Sequence, residues 1–342
     1  EFNALSEKMG WGLKTNDKLS FSPMLSPRVG FRWDINNDRK FILRGGAGVF
    51  TGRIPFVWVS NNYSGTGLQL SSYDSNNSST KGLELILDPT KQNANADKMK
   101  ASAGNQDVAV CDKNFKFAQN LRLNLGFDFE ALGIDWTAEA IYSKTLNDIL
   151  YKNLAQEQSG QTFSQKYGYE WDNRPLYQSV VKGTPIAGVY ALGNTSKGYT
   201  VNLSLKAEKH FNFGLDLMAS YTWTRSRSAA NGGSSVAKSS WTYQYTHRDC
   251  NDLEVGNSAY NVPHRIQASA YYHIKYGHQK QWQTTLGVIY QGKSGSPYTY
   301  YYYGDVNEDG SKGNDLFYIP TDAQIDKMRF EETKYNKNTL TN

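Results

Sequence analysis

LRLNLGFDF, residues 121–129, carries an apolar side chain at every odd position and a polar side chain or glycine at every even one. The next segment alternates in the same way, and its apolar positions include Ile134, Trp136, Ala138, Ala140 and Tyr142. A period of two is the period of a β-strand, because successive side chains point to opposite faces. One face of this strand pair is therefore predicted to meet an apolar phase and the other to meet water.

The same alternation recurs in four strand pairs, each joined by a short turn. The alternation is clearest within residues 29–35 and 41–50, 121–129 and 134–142, 199–207 and 215–223, and 266–274 and 282–290, and the predicted strands extend somewhat beyond these segments. Residues 1–26 are predicted to form a loop, and long polar loops over about 51–118, 143–198 and 226–262 separate the pairs. Short turns on one side and long loops on the other are typical of an antiparallel transmembrane β-barrel of the outer-membrane type.

The composition agrees with such a barrel. Only 39% of residues are hydrophobic, but 14% are aromatic, including 24 Tyr and 8 Trp, which suits the aromatic girdles at the two membrane interfaces. No run approaches the roughly 18 apolar residues of a membrane helix, and a barrel strand needs an apolar side chain only at alternate positions. The net charge of +5 is spread along the chain without a basic tract, so we expect no nucleic-acid partner.

A secreted β-sandwich also has alternating strands. Its strands usually run about five or six residues, however, and the strands predicted here are about ten to thirteen residues long. Length therefore favours the barrel.

The clearest local motif is DVNEDG, residues 305–310. Oxygen-bearing side chains at positions 1, 3 and 5 and glycine at position 6 resemble the start of a calcium-binding loop. The candidate ligands are Asp305, Asn307, Asp309, Ser311 and Asp315, although Leu316 stands where the usual glutamate would be. The alternative is a turn rich in Asp and Asn that holds no ion.

Catalysis is not expected. The five histidines show no metal-binding spacing, and Ser294-Gly295-Ser296 lacks the context of a nucleophile elbow. Loop aromatic residues are instead candidates for substrate contact, the alternative being loop packing or a membrane girdle: Trp58, Tyr63, Trp171, Trp241, Tyr243, Tyr300 and Tyr302, with Tyr177, Tyr245 and Tyr298 beside them. Lumen-facing Arg32, Asp128 and Glu139 are expected to line a substrate path or to pair across strands. Whether the two cysteines, Cys111 and Cys250, form a disulfide stays open.

Three stretches resemble the TonB-dependent outer-membrane receptors of the Bacteroidetes, in the Oar-like group related to SusC/RagA. They are LSPRVGFRWDINNDRKFILRGGAGVFTGRIPFVWVSNNYSGTG (25–67), NVPHRIQASAYY (261–272) and GDVNEDGSKGNDLFYIP (304–320). The resemblance implies a barrel of about 22 strands closed by an N-terminal plug. It also implies energised import of a scarce nutrient such as a glycan, peptide or metal chelate. The implied partners are the TonB–ExbB–ExbD complex, membrane lipid with lipopolysaccharide, and a lid-like surface lipoprotein.

The chain departs from this family in extent, since about eight strands and no plug are visible. We therefore expect residues 1–342 to be a partial barrel domain from the C-terminal half of such a receptor. Two alternatives to active import remain at this point, a passive porin and a soluble extracellular binding or adhesion module.

Overall fold

The computed structural model describes residues 2–17, 23–66, 86–91, 106–229 and 233–328. The strands are β1 (Arg28–Asp34), β2 (Phe41–Thr51), β3 (Gln106–Cys111), β4 (Gln119–Ala131), β5 (Ile134–Asn153), β6 (Gln156–Thr162), β7 (Pro175–Ser179), β8 (Ile186–Thr195), β9 (Gly198–His210), β10 (Leu215–Ser228), β11 (Gly256–Asn257), β12 (His264–Tyr276) and β13 (Trp282–Lys293). The helices are α1 (Phe2–Lys8), α2 (Phe56–Ser64), α3 (Phe163–Tyr167), α4 (Ala237–Thr242) and α5 (Asp322–Ile325). None of the helices in these ranges is long and apolar enough to cross a membrane.

Eight of the strands form an antiparallel meander in the order β1-β2-β4-β5-β9-β10-β12-β13. These are the eight strands predicted from the alternating pattern, so that prediction is confirmed. In the register, Leu125 on β4 lies opposite Gly45 on β2 and Ala140 on β5. The sheet is open within the described ranges, because β1 and β13 lie at its two edges and do not pair with each other.

The short turns lie where the sequence predicts them. Leu132 and Gly133 connect β4 to β5 with φ values of +58° and +65°, the two-residue type I′ turn that matches the twist of a hairpin. The turns after β9 and β12 use Gly214 and Gly277, both at φ +94°. Asn37 at φ +58° lies in the first turn, since Asn tolerates this left-handed region.

The two faces of the meander differ sharply. Leu203 is 46% exposed, Leu286 58% and Val288 70%, so the apolar side chains of this face are uncovered. Aromatic rings lie at both ends of the face, and Trp282 and Tyr290 on β13 are separated by about 26 Å of strand at about 3.3 Å per residue. Such a spacing suits the roughly 25 Å apolar band of a membrane barrel.

The buried core lies at the loop end of the sheet. Residues Asp148–Asn153 extend β5 beyond β9 and pair with β8, which in turn pairs in parallel with β3. We call this region the loop layer: residues 106–118, 148–195, 233–257 and 301–318 with helices α1 and α2. Its clusters of buried apolar side chains include Val108, Val189 and Leu192.

All four loop predictions are wrong in part. Residues 143–198 contain the end of β5, β6 to β8 and α3, and residues 1–26 contain α1. Residues 51–118 contain α2 and β3, and residues 226–262 contain α4 and β11. The physical reason for α1 is tertiary, because Phe2 is buried in the core cluster around Val108 and Leu5 packs against it. Parts of the predicted 51–118 loop, residues 67–85 and 92–105, lie outside the described residues.

Candidate functional site

The predicted ion-binding stretch forms a compact acidic loop, residues 305–315, inside the loop layer. Backbone hydrogen bonds hold it from two sides, because Tyr177 N donates to Asn307 O at 2.8 Å and Thr246 N donates to Asn314 O at 2.9 Å. Asn307, Ser311 and Asn314 are all buried. The acidic loop is thus a packed part of the protein.

Side-chain oxygens close the turn as the sequence motif predicts. Asp305 Oδ2 accepts a hydrogen bond from Gly310 N at 2.9 Å, and Asn307 Oδ1 accepts one from Asp309 N at 3.0 Å. Asp309 Oδ1 accepts a further bond from Ser311 N at 2.8 Å. Gly310 has φ +87°, a conformation that favours glycine. Four of the five predicted ligands therefore belong to one tight turn.

The fifth predicted ligand, Asp315, has a different role. Its Oδ1 accepts a hydrogen bond from Arg174 Nη1 at 3.3 Å, while its Oδ2 accepts one from Val306 N at 2.8 Å. Arg174 is 1% exposed and also pairs with Asp172 at 3.0 Å. Since Asp315 is occupied by a buried ion pair and backbone donors, its assignment as a metal ligand is corrected to a structural one.

Asp309 is the most deeply buried carboxylate of the acidic loop, at 0% exposure. Its Oδ2 accepts hydrogen bonds from Asn314 Nδ2 at 2.7 Å and Asn307 Nδ2 at 3.1 Å. Burial raises the pKa of Asp309 to about 7, because the charged form loses its hydration. Across the described ranges, three His, Cys, Asp or Glu side chains do not converge on a point that could hold a metal ion.

The aromatic residues predicted to contact substrate separate into three groups. Trp241 is 2% exposed and packs in the core beside Tyr190, so it is a core residue and not a substrate contact. Trp58, Trp171 and Tyr302 are half-buried. Tyr63, Tyr243 and Tyr300 are exposed on the loop layer and its surroundings, so these three stay candidates for substrate contact.

Some neighbours of this set are also structural. Tyr177 is buried and its hydroxyl donates to Asp249 Oδ1 at 3.0 Å. Tyr302 packs on Phe317 with ring centroids 4.9 Å apart, and the Arg174 guanidinium lies 5.3 Å from its centroid. Packing within the loop layer thus explains these rings without a ligand.

The polar face of the meander carries charged and hydroxyl-bearing side chains. Arg44 on β2 pairs with Asp128 on β4 at 3.1 Å and with Glu139 on β5 at 2.8 Å. Of the two alternatives for Asp128 and Glu139, cross-strand pairing is therefore observed, in each case with Arg44. Nearer the loop layer, this face contains a cavity of about 620 Å³. The residues lining it include Asn120, Arg122, Ser143, Thr200, Asn202 and Ser226. Such a surface suits a hydrated, polar solute.

Both cysteines are buried free thiols in the same core cluster. Burial raises the pKa of the Cys111 thiol to about 12 and also raises that of Cys250.

Sequence reasoning missed Arg174 and Asn314. Arg174 lies 141 residues from Asp315, and no local pattern connects the two. Asn314 and Asp315 stand just before the position of the usual calcium-loop glutamate, which was the only available signal for Asn314.

The chain matches a known sequence family and is similar to solved structures. The sequence model of a family described as an outer membrane beta barrel domain matches residues 12–341. The crystal structure of the siderophore receptor PirA from Pseudomonas aeruginosa is similar with 11% identity and a TM-score of 0.35, over 78% of this chain and 33% of that one. The outer membrane transporter YddB from Escherichia coli is similar with 15% identity and a TM-score of 0.35, over 77% and 28%. No curated protein matches.

Proposed function

The chain belongs to the outer membrane beta barrel domain family, and on that premise we propose that its sheet lines the transport path of an outer-membrane transporter. The Gram-negative outer membrane is where this family resides. The chain spans about a third or less of the solved transporters to which it is similar, so whole-protein activity is part of the proposal.

One observation carries the proposal: the two faces of the same eight strands are chemically opposite. Leu205 and Leu286 project from the apolar face, and Arg44, Glu139 and Arg122 from the polar face. In a closed barrel the first face would contact lipid and the second would line a water-filled lumen. The cavity beside Arg122, rich in hydroxyl and amide groups, supports passage of a polar solute.

We extend the proposal to energised import. Under this proposal, exposed aromatic side chains such as Tyr63, Tyr243 and Tyr300 bind a glycan, peptide or metal chelate at the cell surface. A plug domain and the TonB–ExbB–ExbD complex supply the driving force, with a surface lipoprotein as a lid. The sequence resemblance over residues 25–67, 261–272 and 304–320 supports this extension.

An uptake experiment in the native host tests the proposal. Cells with and without the gene are given a labelled ferric chelate, a labelled oligosaccharide and a labelled peptide mixture, each with and without a protonophore. We expect the deletion to abolish uptake of one class, and the protonophore to abolish the same uptake. Complementation with Arg122→Met is expected to reduce uptake. Arg225 lies on β10 opposite Val201, on the apolar face of the sheet, and Arg225→Met is expected to leave uptake unchanged.

The alternatives give different results. A passive porin would support uptake that is insensitive to the protonophore, together with steady conductance in planar bilayers. Unchanged uptake of every probe in the deletion strain, or equal effects of the two arginine substitutions, would contradict a lumen-lined transport path.

A further inference from the structure

The acidic loop contains two carboxylates with no cationic partner. Arg174 neutralises Asp315, and Lys166 pairs with Glu308. Asp305 and Asp309 have no such partner, since no Lys, Arg or His of the described residues forms an ion pair with either of them. Two carboxylates in one turn, one of them fully buried, are costly to ionise together without a compensating cation.

An independent observation is the amide oxygen of Asn314. Asn314 is fully buried, and its Oδ1 has no hydrogen-bond partner. Its amide nitrogen lies 2.7 Å from Asp309 Oδ2, so the free oxygen belongs to a side chain that is held inside the acidic loop. A buried acceptor is normally paired, so this oxygen is available to a cation bound in the acidic loop.

We propose that the acidic loop binds a calcium ion through side-chain oxygens of Asp305, Asn307 and Asp309, the backbone oxygen of Ser311 and the amide oxygen of Asn314. The site is distinct from the transport path and its existence does not depend on the proposed import. In the acidic loop, the cation balances the charge left by Asp305 and Asp309 and satisfies the free oxygen of Asn314.

The mixed set of oxygens favours calcium over other ions. Calcium accepts six to eight oxygen ligands of carboxylate, amide and backbone type in flexible geometry, whereas magnesium requires near-ideal octahedral geometry and retains several waters. The absence of His and Cys from the set disfavours zinc and other soft-ligand metals.

The test uses the full chain folded in detergent micelles and stripped with EDTA. Calcium chloride is titrated through about 0.1–1 mM, the range in which extracellular calcium modules bind, and binding is followed by calorimetry and by thermal unfolding. We expect one calcium ion per chain and a rise in the unfolding temperature that magnesium chloride does not reproduce.

Three variants make the test specific. Asp309→Asn and Asp305→Asn each remove one ligand charge and are expected to weaken calcium binding by about tenfold or more, because affinity depends on ligand charge. Asp305 is exposed, so its variant keeps the test valid if Asp309→Asn fails to fold. Glu308→Gln is the matched control, since this carboxylate contacts Lys166 and Tyr167, and its affinity should stay within twofold of wild type.

Two results would overturn the proposal. The first is the absence of both heat and thermal shift over the whole titration, which would leave the acidic loop as an ion-free turn. The second is equal weakening by Glu308→Gln and Asp305→Asn, because general surface charge would then explain the binding.

Discussion

Leu205 lies near the middle of β9, on the apolar face of the sheet. Its cross-strand neighbours are Ala138 on β5 and Tyr221 on β10, and 45% of its surface is exposed. The aromatic residues Trp136 and Tyr142 lie toward the two ends of this face on β5. Leu205 is therefore placed close to the centre of the bilayer if lipid covers the face.

Leu205→Arg should then be strongly destabilising. An arginine facing lipid at the midplane of a barrel costs about 2–4 kcal/mol, which is a loss of about 30- to 700-fold in the folding equilibrium constant. Ser204→Arg is the matched control, because Ser204 is the adjacent residue on the polar face and lies opposite Glu139. We expect its effect to stay within about 0.5 kcal/mol, as for an ordinary water-facing substitution.

The assay is equilibrium folding of the intact protein into phospholipid vesicles across a urea gradient, read by the gel mobility of folded and unfolded forms. Both substitutions introduce the same side chain one residue apart, so their difference isolates the medium that each face meets. A loss below about 0.5 kcal/mol for Leu205→Arg, or equal losses for the two variants, would mean that water or protein covers the apolar face.

Three further predictions concern the loop layer, a turn and the thiols. Arg174→Met leaves buried carboxylates unpaired and should destabilise the protein by about 3–5 kcal/mol. Lys197→Met, at an exposed ion pair, should cost at most about 1 kcal/mol. Urea denaturation measures both losses of stability, and similar losses would contradict the argument that the Arg174 ion pairs are buried. Leu132→Asn should stabilise the protein by about 1 kcal/mol, because leucine is strained at φ +58° and Asn is preferred there. A loss of stability in the same urea assay would refute the type I′ turn. At pH 8 the thiols of Cys111 and Cys250 stay protonated, since burial raises both pKa values; neither should react with a maleimide until the protein unfolds, and labelling of the folded protein would show that they are accessible.

The strands and short turns could be predicted from sequence for a local reason. Alternation between apolar and polar residues is a property of each strand alone, and a left-handed turn residue such as Asn37 or Gly277 sits next to the strands that it connects. Because one face of the sheet is uncovered, no packing partner alters this pattern.

The loop layer could not be predicted in this way. Strand β3 is buried along Val108–Cys111 and pairs in parallel with β8, about eighty residues later, so its pattern is a short apolar run that does not distinguish strand from helix. Trp241 resembled a surface aromatic of a polar loop, but the core around Tyr190 surrounds it.

The acidic loop shows most clearly which features follow from local sequence and which follow from tertiary structure. The amino-acid sequence by itself determined its turn, because Asp305, Asn307 and Asp309 bond to backbone N–H groups within a few residues of themselves. Only the tertiary structure decided that Arg174 neutralises Asp315 while Asp309 is left buried without a cation. Charge compensation in a protein interior depends on which distant side chains the fold brings into contact, and a local sequence pattern does not show which residues these are.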